Sequence, residues 1–221
     1  MQHTFLVDKK YKIIWIGDSG VGKTCLLTKA LNNFFDQELK STLGFEYYNI
    51  TINIKNKKIL LQTWDTCGQE SFQCIVNMFY KRAKLAVLVY SIDNRKSFER
   101  INFWLDEIRL NASDNIKLIL IGNKDDLNDR REVSYEEGQE FSKFNGFDYF
   151  MESSAKEGDT PSSILSKAAE ILYLFEIESK NKNNKTDNEM NNNGDNNFKL
   201  GEYNENNKFN KFDTTSCNDC I

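Results

Sequence analysis

The sequence predicts an α/β fold built on a mostly parallel sheet, and three observations predict it. Short apolar runs alternate with helical stripes from residue 11 to residue 177, a glycine-rich loop joins the first run to the first stripe, and the remaining polar motifs directly follow later runs. In sheets of this kind ligands bind outside the carboxyl ends of the strands, so the loops after the strands are where chemistry is expected.

Residues 11–16 (YKIIWI) are β-branched and aromatic and end at Gly17, which suits a buried strand; residues 21–33 then carry Leu26, Leu27, Ala30 and Leu31 at helical spacing. Ile50, Ile52 and Ile54 alternate with polar residues, 55–58 supply a polar turn, and 59–64 follow, a pattern for neighbouring antiparallel strands. Residues 84–92, 116–121 and 148–152 repeat the strand pattern. Between them Phe98, Ile101, Leu105 and Ile108 form a helical stripe, and Ser134 with Glu137 forms a capping box that opens a helix to about residue 144. The last helix begins with Thr160 as N-cap and Pro161 at its first position, followed by Ile164, Leu165, Ala168, Ile171, Leu172 and Phe175. From about residue 179 the chain turns Asn-rich, with isolated Phe, Leu, Ile and Met residues and no apolar periodicity. It cannot bury enough surface there to offset its ordering entropy, so the reading is a folded domain over 1–178 and a disordered tail over 179–221.

A chain of 221 residues allows one domain with an appendage. Hydrophobic residues make up 39% and charged residues 28%, and the net charge of −4 carries no basic excess, so nucleic acid is not an expected partner. The longest apolar stretches, 85–90 and 116–121, fall far short of the ~20 residues that span a bilayer. The start, MQHTFLVDKK, has neither a basic region ahead of an apolar run nor a Gly after Met1, so no signal peptide or myristoylation is expected, and an intracellular protein is. Five scattered cysteines do not make a disulfide scaffold, and Cys25, Cys67 and Cys74 read as ordinary small residues. With His3 as the single histidine, a Ser-His-Asp triad, a Cys-His dyad and a multi-His zinc site are all disfavoured.

Four loops carry the chemistry. Residues 17–24 (GDSGVGKT) match G-x-x-x-x-G-K-[S/T] between a strand and a helix. Their glycines let consecutive N–H groups wrap a phosphate chain, Lys23 reaches the β and γ oxygens, and the Thr24 hydroxyl can ligate Mg²⁺. The second loop, 64–69 (WDTCGQ), delivers Asp65 to the same sheet edge, where it can hold Mg²⁺ through water; the Gly68 N–H can meet a γ-phosphate, and Gln69 can orient an attacking water. Taken alone, Asp65 also suits a helix N-cap and Gln69 a solvated first turn. The third and fourth loops are Asn123-Lys124-Asp125 and Ser154-Ala155-Lys156. A carboxylate after the 116–121 strand accepts two hydrogen bonds from the guanine edge, which adenine cannot offer, so Asp125 is expected to select GTP over ATP; the Ala155 N–H can donate to guanine O6.

In this order and at these separations GDSGVGKT, WDTCGQE, NKDD and SSAK resemble the Ras superfamily of small GTPases over about residues 10–177. Within it the chain is most similar to the Rab family, through STLGFEY (41–47), WDTCGQESF, FYKRA (79–83) and YSIDNRKSF (90–98). The resemblance implies a P-loop NTPase fold with a six-stranded sheet, five strands parallel and one antiparallel, and five helices. It implies that Ser19, Gly20, Val21, Gly22, Lys23, Thr24 and Cys25 wrap the phosphates. It also implies that Thr24 and Thr42 ligate Mg²⁺ with Asp65 behind them, that Gln69 positions water, and that Phe35 lies against guanine with Asn123, Lys124, Asp125, Ser154, Ala155 and Lys156 around the base. Leu43-Gly44-Phe45-Glu46-Tyr47 departs from the usual Rab run, Ser71 replaces a common Arg, and Arg82 stands where a Gly is usual. None of these departures touches the nucleotide ligands.

The implied function is a monomeric switch that hydrolyses GTP to GDP and regulates membrane traffic. Effectors would bind through residues 34–46 and 66–82, and an activator, an exchange factor and a GDP-dissociation inhibitor would act on it. A Ras-like signalling GTPase and a GTP-binding module without turnover are the competing readings; Gln69, Thr42 and Asp65 together argue against the second. The resemblance further implies a peripheral place on the cytosolic face of an intracellular membrane, through prenyl groups on Cys217 and Cys220. The tail holds six lysines against seven acids and so no polybasic patch. A C-a-a-X box needs Cys where this chain has Asn218, and the Cys217–Cys220 spacing is wider than the usual Rab pair, so two idle thiols are the alternative.

Overall fold

The computed structural model describes residues 7–34, 42, 44–66, 79–158 and 160–192, with side chains to residue 181. Phe35, Leu43, Cys67, Gly68, Gln69, Ser71, Cys74, Cys217 and Cys220 lie outside the described residues.

In chain order the elements are β1 (Lys9–Ile16), α1 (Lys23–Asn32), β2 (Phe45–Ile54), β3 (Lys57–Thr66), β4 (Leu85–Ser91), α2 (Arg95–Glu99), α3 (Ile101–Asn111), β5 (Lys117–Asn123), a 3-10 turn (Asp125–Arg130), α4 (Tyr135–Phe144), β6 (Tyr149–Ser153) and α5 (Thr160–Asn192). The six strands lie in the order β2-β3-β1-β4-β5-β6. Among the described residues only the β2–β3 pair is antiparallel, registered from Phe45 opposite Thr66 to Ile54 opposite Lys57; β3–β1, β1–β4, β4–β5 and β5–β6 are parallel. The hairpin turns on Lys55 and Asn56, both at positive φ (46° and 62°), the geometry whose twist matches the flanking strands.

The period of two along each strand divides the core between the sheet's faces. Ile13, Trp15, Leu61, Val87, Val89, Ile119 and Ile121 pack with Leu26 and Leu27 of α1 and Ile164, Leu165, Ala168 and Leu172 of α5. Ile14, Ile16, Ala86, Leu88, Tyr90 and Leu120 pack with Phe98 of α2 and with Ile101, Trp104, Leu105 and Ile108 of α3. β4 is buried along its whole length, as a central parallel strand covered on both faces must be.

Several element ends lie a few residues from the sequence reading, β2 starting as early as Phe45, and two further differences bear on the architecture. The stripe from Phe98 to Ile108 is divided at Arg100 between α2 and α3. α5 runs to Asn192, beyond Phe175, the last residue of the apolar stripe that marked it in the sequence. No Gly or Pro occurs between residues 162 and 193, and Glu176 pairs with Lys180 at i,i+4 and 3.0 Å, so nothing local stops the helix there. The chain divides into two units, one to Lys180 and one from Asn181. Among the described residues no helix is long and apolar enough to cross a membrane.

Candidate functional site

The loop between β1 and α1 has room for glycine alone at two points. A Cβ on Gly17 (φ 144°) would stand 2.2 Å from the Val89 carbonyl oxygen of β4, and one on Gly22 (φ 96°) would stand 2.3 Å from Asn123 Nδ2. That second close approach lets Asn123, buried at the end of β5, donate from Nδ2 to the Val21 carbonyl at 2.7 Å. The β5 loop is thereby docked on the first loop. Gly22 is the N-cap of α1 and offers its first turn no side-chain acceptor, and no acidic residue stands in that turn. The helix N-terminus is therefore open to an anion. Lys23, 5% exposed, donates from Nζ to the carbonyls of Gly17 (2.8 Å) and Asp18 (2.9 Å), which places its charge over the same loop.

In the first turn of α1 the Thr24 hydroxyl meets two partners. It lies 2.7 Å from Thr42 Oγ1 and donates to Asp65 Oδ2 at the end of β3. Asp65 is fully buried, and its Oδ1 has no partner among the described residues. Burial pushes its carboxyl up to about 6, against the Thr24 hydrogen bond and the Lys23 charge, which pull it down. Two hydroxyls and a carboxylate with an unpartnered buried oxygen form a set of hard oxygen donors of the kind Mg²⁺ takes. The end of β3 is fixed by Thr66, whose hydroxyl donates to the Trp15 carbonyl at 2.7 Å.

The third and fourth loops leave adjacent strands, since Asn123 of β5 pairs with Ser153 of β6. Ser154 Oγ accepts from the backbone N–H groups of Lys156 (3.0 Å) and Glu157 (2.9 Å) and donates to Asp126 Oδ1 at 2.6 Å. The carboxylate that the Ser154-Ala155-Lys156 loop holds is thus that of Asp126, the neighbour of the Asp125 singled out from sequence. Asp125 keeps different company: burial first, then the Glu152 and Asp126 charges, raise its carboxyl, while Arg131 lowers it. Arg131 is occupied by Glu152 in a two-pronged pair at 2.6 and 2.8 Å. The signal for Asp126 was present as two adjacent acids after one strand; spacing along the chain gave no means of ranking them.

Residues 12–181 match the Ras family. The chain belongs to that family. Among its relatives are Ras-related protein RABA4b of Arabidopsis thaliana, 43% identical over 149 residues that cover 67% of this chain and 66% of the relative, and Ras-related protein Rab11D of Nicotiana tabacum, 41% identical over 151 residues that cover 68% of each. It is a Rab-like small GTPase with the six-stranded, mostly parallel sheet expected of one. In this small GTPase Ser19, Gly20, Val21, Gly22, Lys23, Thr24 and Cys25 form the loop and first turn after β1, and Thr42 and Asp65 meet at Thr24. Asn123, Lys124, Asp125, Ser154, Ala155 and Lys156 follow the neighbouring strands β5 and β6.

Proposed function

We propose that the chain is a nucleotide-driven switch of membrane traffic, with GTP or GDP seated over the loops that follow β1, β3, β5 and β6. The observation that carries this reading is the meeting of Thr42 and Asp65 on the Thr24 hydroxyl, which brings three segments far apart in sequence to one point beside the phosphate loop. The N–H groups of residues 19–25 bind the phosphates, and Lys23 Nζ leaves the Gly17 and Asp18 carbonyls for the β and γ oxygens. Thr24 and Thr42 would hold Mg²⁺ with Asp65 behind them, and the ion supplies neutralisation of phosphate charge. Gly68 N–H meets the γ-phosphate, and Gln69 orients the attacking water. No covalent step is asked of the protein; positioning and charge neutralisation do the chemistry, which in GTPases of this kind is on the order of 10⁻⁴ s⁻¹ unaided and about 10⁵-fold faster with an activator's arginine.

Phe35 lies against the guanine ring, Asn123 and Lys124 frame it, and the Ala155 N–H reads O6 with Lys156 beside it. Asp126 takes the base-reading role expected of Asp125, because Ser154 fixes one of its oxygens within the same loop pair. Release of the γ-phosphate frees the segments around 34–46 and 66–78 and changes the surface that effectors read. Prenyl groups on Cys217 and Cys220 attach the protein to the cytosolic face of an intracellular membrane, with an exchange factor, an activator and a GDP-dissociation inhibitor governing the cycle. The test is thermal stabilisation by GDP, GTP and ATP followed by single-turnover hydrolysis. Stabilisation by both guanine nucleotides and not by ATP, with phosphate release, is expected; equal stabilisation by ATP, or no turnover with an activator present, overturns it.

A further inference from the structure

Asp18 follows Gly17 in the phosphate loop, and its two polar ends have different partners. Its carbonyl accepts from Lys23 Nζ at 2.9 Å. Its carboxylate Oδ1 accepts from Arg100 Nε at 2.9 Å and from Trp104 Nε1 at 2.8 Å. The two donors are four residues apart, so they project from one side of the α2–α3 segment. Trp104 is 3% exposed and locked into the core on that face of the sheet. The Arg100 guanidinium lies 5.2 Å from the Phe103 ring and 6.0 Å from the Trp104 ring, which limits its freedom before it reaches the acid.

A carboxylate in a loop that wraps phosphates is a like charge beside the ligand. Left alone it repels the polyphosphate and invites the loop to move away. While Lys23 rests on the Asp18 carbonyl its charge is near; when Lys23 turns to a phosphate, Arg100 and Trp104 still hold the side chain. We propose that Arg100 and Trp104 are positioning residues of the nucleotide site, neutralising and anchoring Asp18 so that the phosphate loop keeps the shape that retains a nucleoside di- or triphosphate. On this account they set the rate of nucleotide release without touching the nucleotide. The inference rests on the nucleotide-site reading above.

The experiment is release of a fluorescent GDP derivative from the full chain, loaded with Mg²⁺ and chased with excess GDP. Arg100→Gln is expected to release it roughly fivefold faster, as loss of one part-exposed charge-assisted contact implies. Trp104→Phe, which keeps the ring and deletes the donor, should quicken release by a smaller factor, and Arg100→Lys should restore most of the parent rate. The deciding variant is Arg100→Gln with Asp18→Asn: once the carboxylate is gone there is no charge to neutralise, and release should return close to the parent rate. A packing role for Arg100 alone would leave the double variant as fast as Arg100→Gln, and that result, or an unchanged rate in Arg100→Gln, overturns the proposal. A parent chain that fails to retain the GDP derivative at all overturns the nucleotide-site reading and takes this inference with it.

Discussion

Ser154 Oγ donates to Asp126 Oδ1 at 2.6 Å and itself accepts the N–H groups of Lys156 and Glu157. One hydroxyl thus joins the loop after β5 to the loop after β6 and fixes the orientation of one carboxylate. Asp126→Asn should weaken GTP binding by more than a hundredfold and admit xanthine nucleotides, because the amide restores pairing with the altered base edge. Asp125→Asn should change GTP affinity by less than fivefold, since that acid lies by the Glu152–Arg131 pair. Titration with fluorescent GDP and XDP checks both; a switch to xanthine in Asp125→Asn would return the role to the residue first singled out.

Gln69 bears on turnover alone in the proposed mechanism. Gln69→Leu should bind GTP as the parent does and hydrolyse it at least tenfold more slowly in single turnover, with an activator present. Equal rates would remove Gln69 from the mechanism.

Glu176 of α5 accepts hydrogen bonds from the Tyr11 hydroxyl and Lys9 of β1 and from Lys180. Burial alone would raise its carboxyl, but the bonds from Lys9, Tyr11 and Lys180 outweigh it and hold the group at about 2, against 4.5 in the unfolded chain. The unfolded state therefore binds the proton first. The stabilisation is full above about pH 4.5 and is lost as pH falls toward 2. With solvent screening it should amount to about 1 kcal/mol. Denaturant unfolding of Glu176→Gln should show lower stability at pH 7 and a shallower fall between pH 5 and 3; parallel curves for variant and parent would rule the linkage out.

Arg82 is held at φ 64°, a left-handed conformation that costs a side chain bearing a Cβ about 1 kcal/mol. It is also the position where Rab sequences usually have glycine. Arg82→Gly should raise the midpoint of thermal unfolding by a few degrees while Arg82→Ala does not. If alanine stabilises as much as glycine, the effect belongs to the lost charge and not to the backbone.

For the tail, intact-mass analysis of protein taken from its native membranes should show two prenyl additions that the Cys217→Ser, Cys220→Ser variant lacks. One chain alone gives marginal, reversible binding, so a tail without a polybasic patch calls for two. An unmodified mass in the membrane-bound pool would exclude the attachment.

Much of this protein was determined by local sequence. The alternation of apolar runs and stripes set the order of strands and helices, because burial of each run depends on side-chain period; glycine at 17 and 22 marked the phosphate loop, because no other residue fits against Val89 and Asn123 there. The places of Thr24, Asp65 and Asn123 in the loops after strands were legible from motif and spacing, whereas Thr42 came only with the family resemblance. Tertiary structure alone decided which of two adjacent acids the Ser154 hydroxyl holds, since Asp125 and Asp126 are equivalent in the sequence and are separated only by where β5 and β6 bring their loops. It alone joined Asp18 to Arg100 and Trp104, more than eighty residues away, because a hydrogen bond across a sheet edge leaves no periodic trace along the chain. And it ran α5 on to Asn192, beyond the change in composition at 179: Lys favours a helix, Asn opposes one only weakly, and without Gly or Pro nothing local ends one that the core has already nucleated.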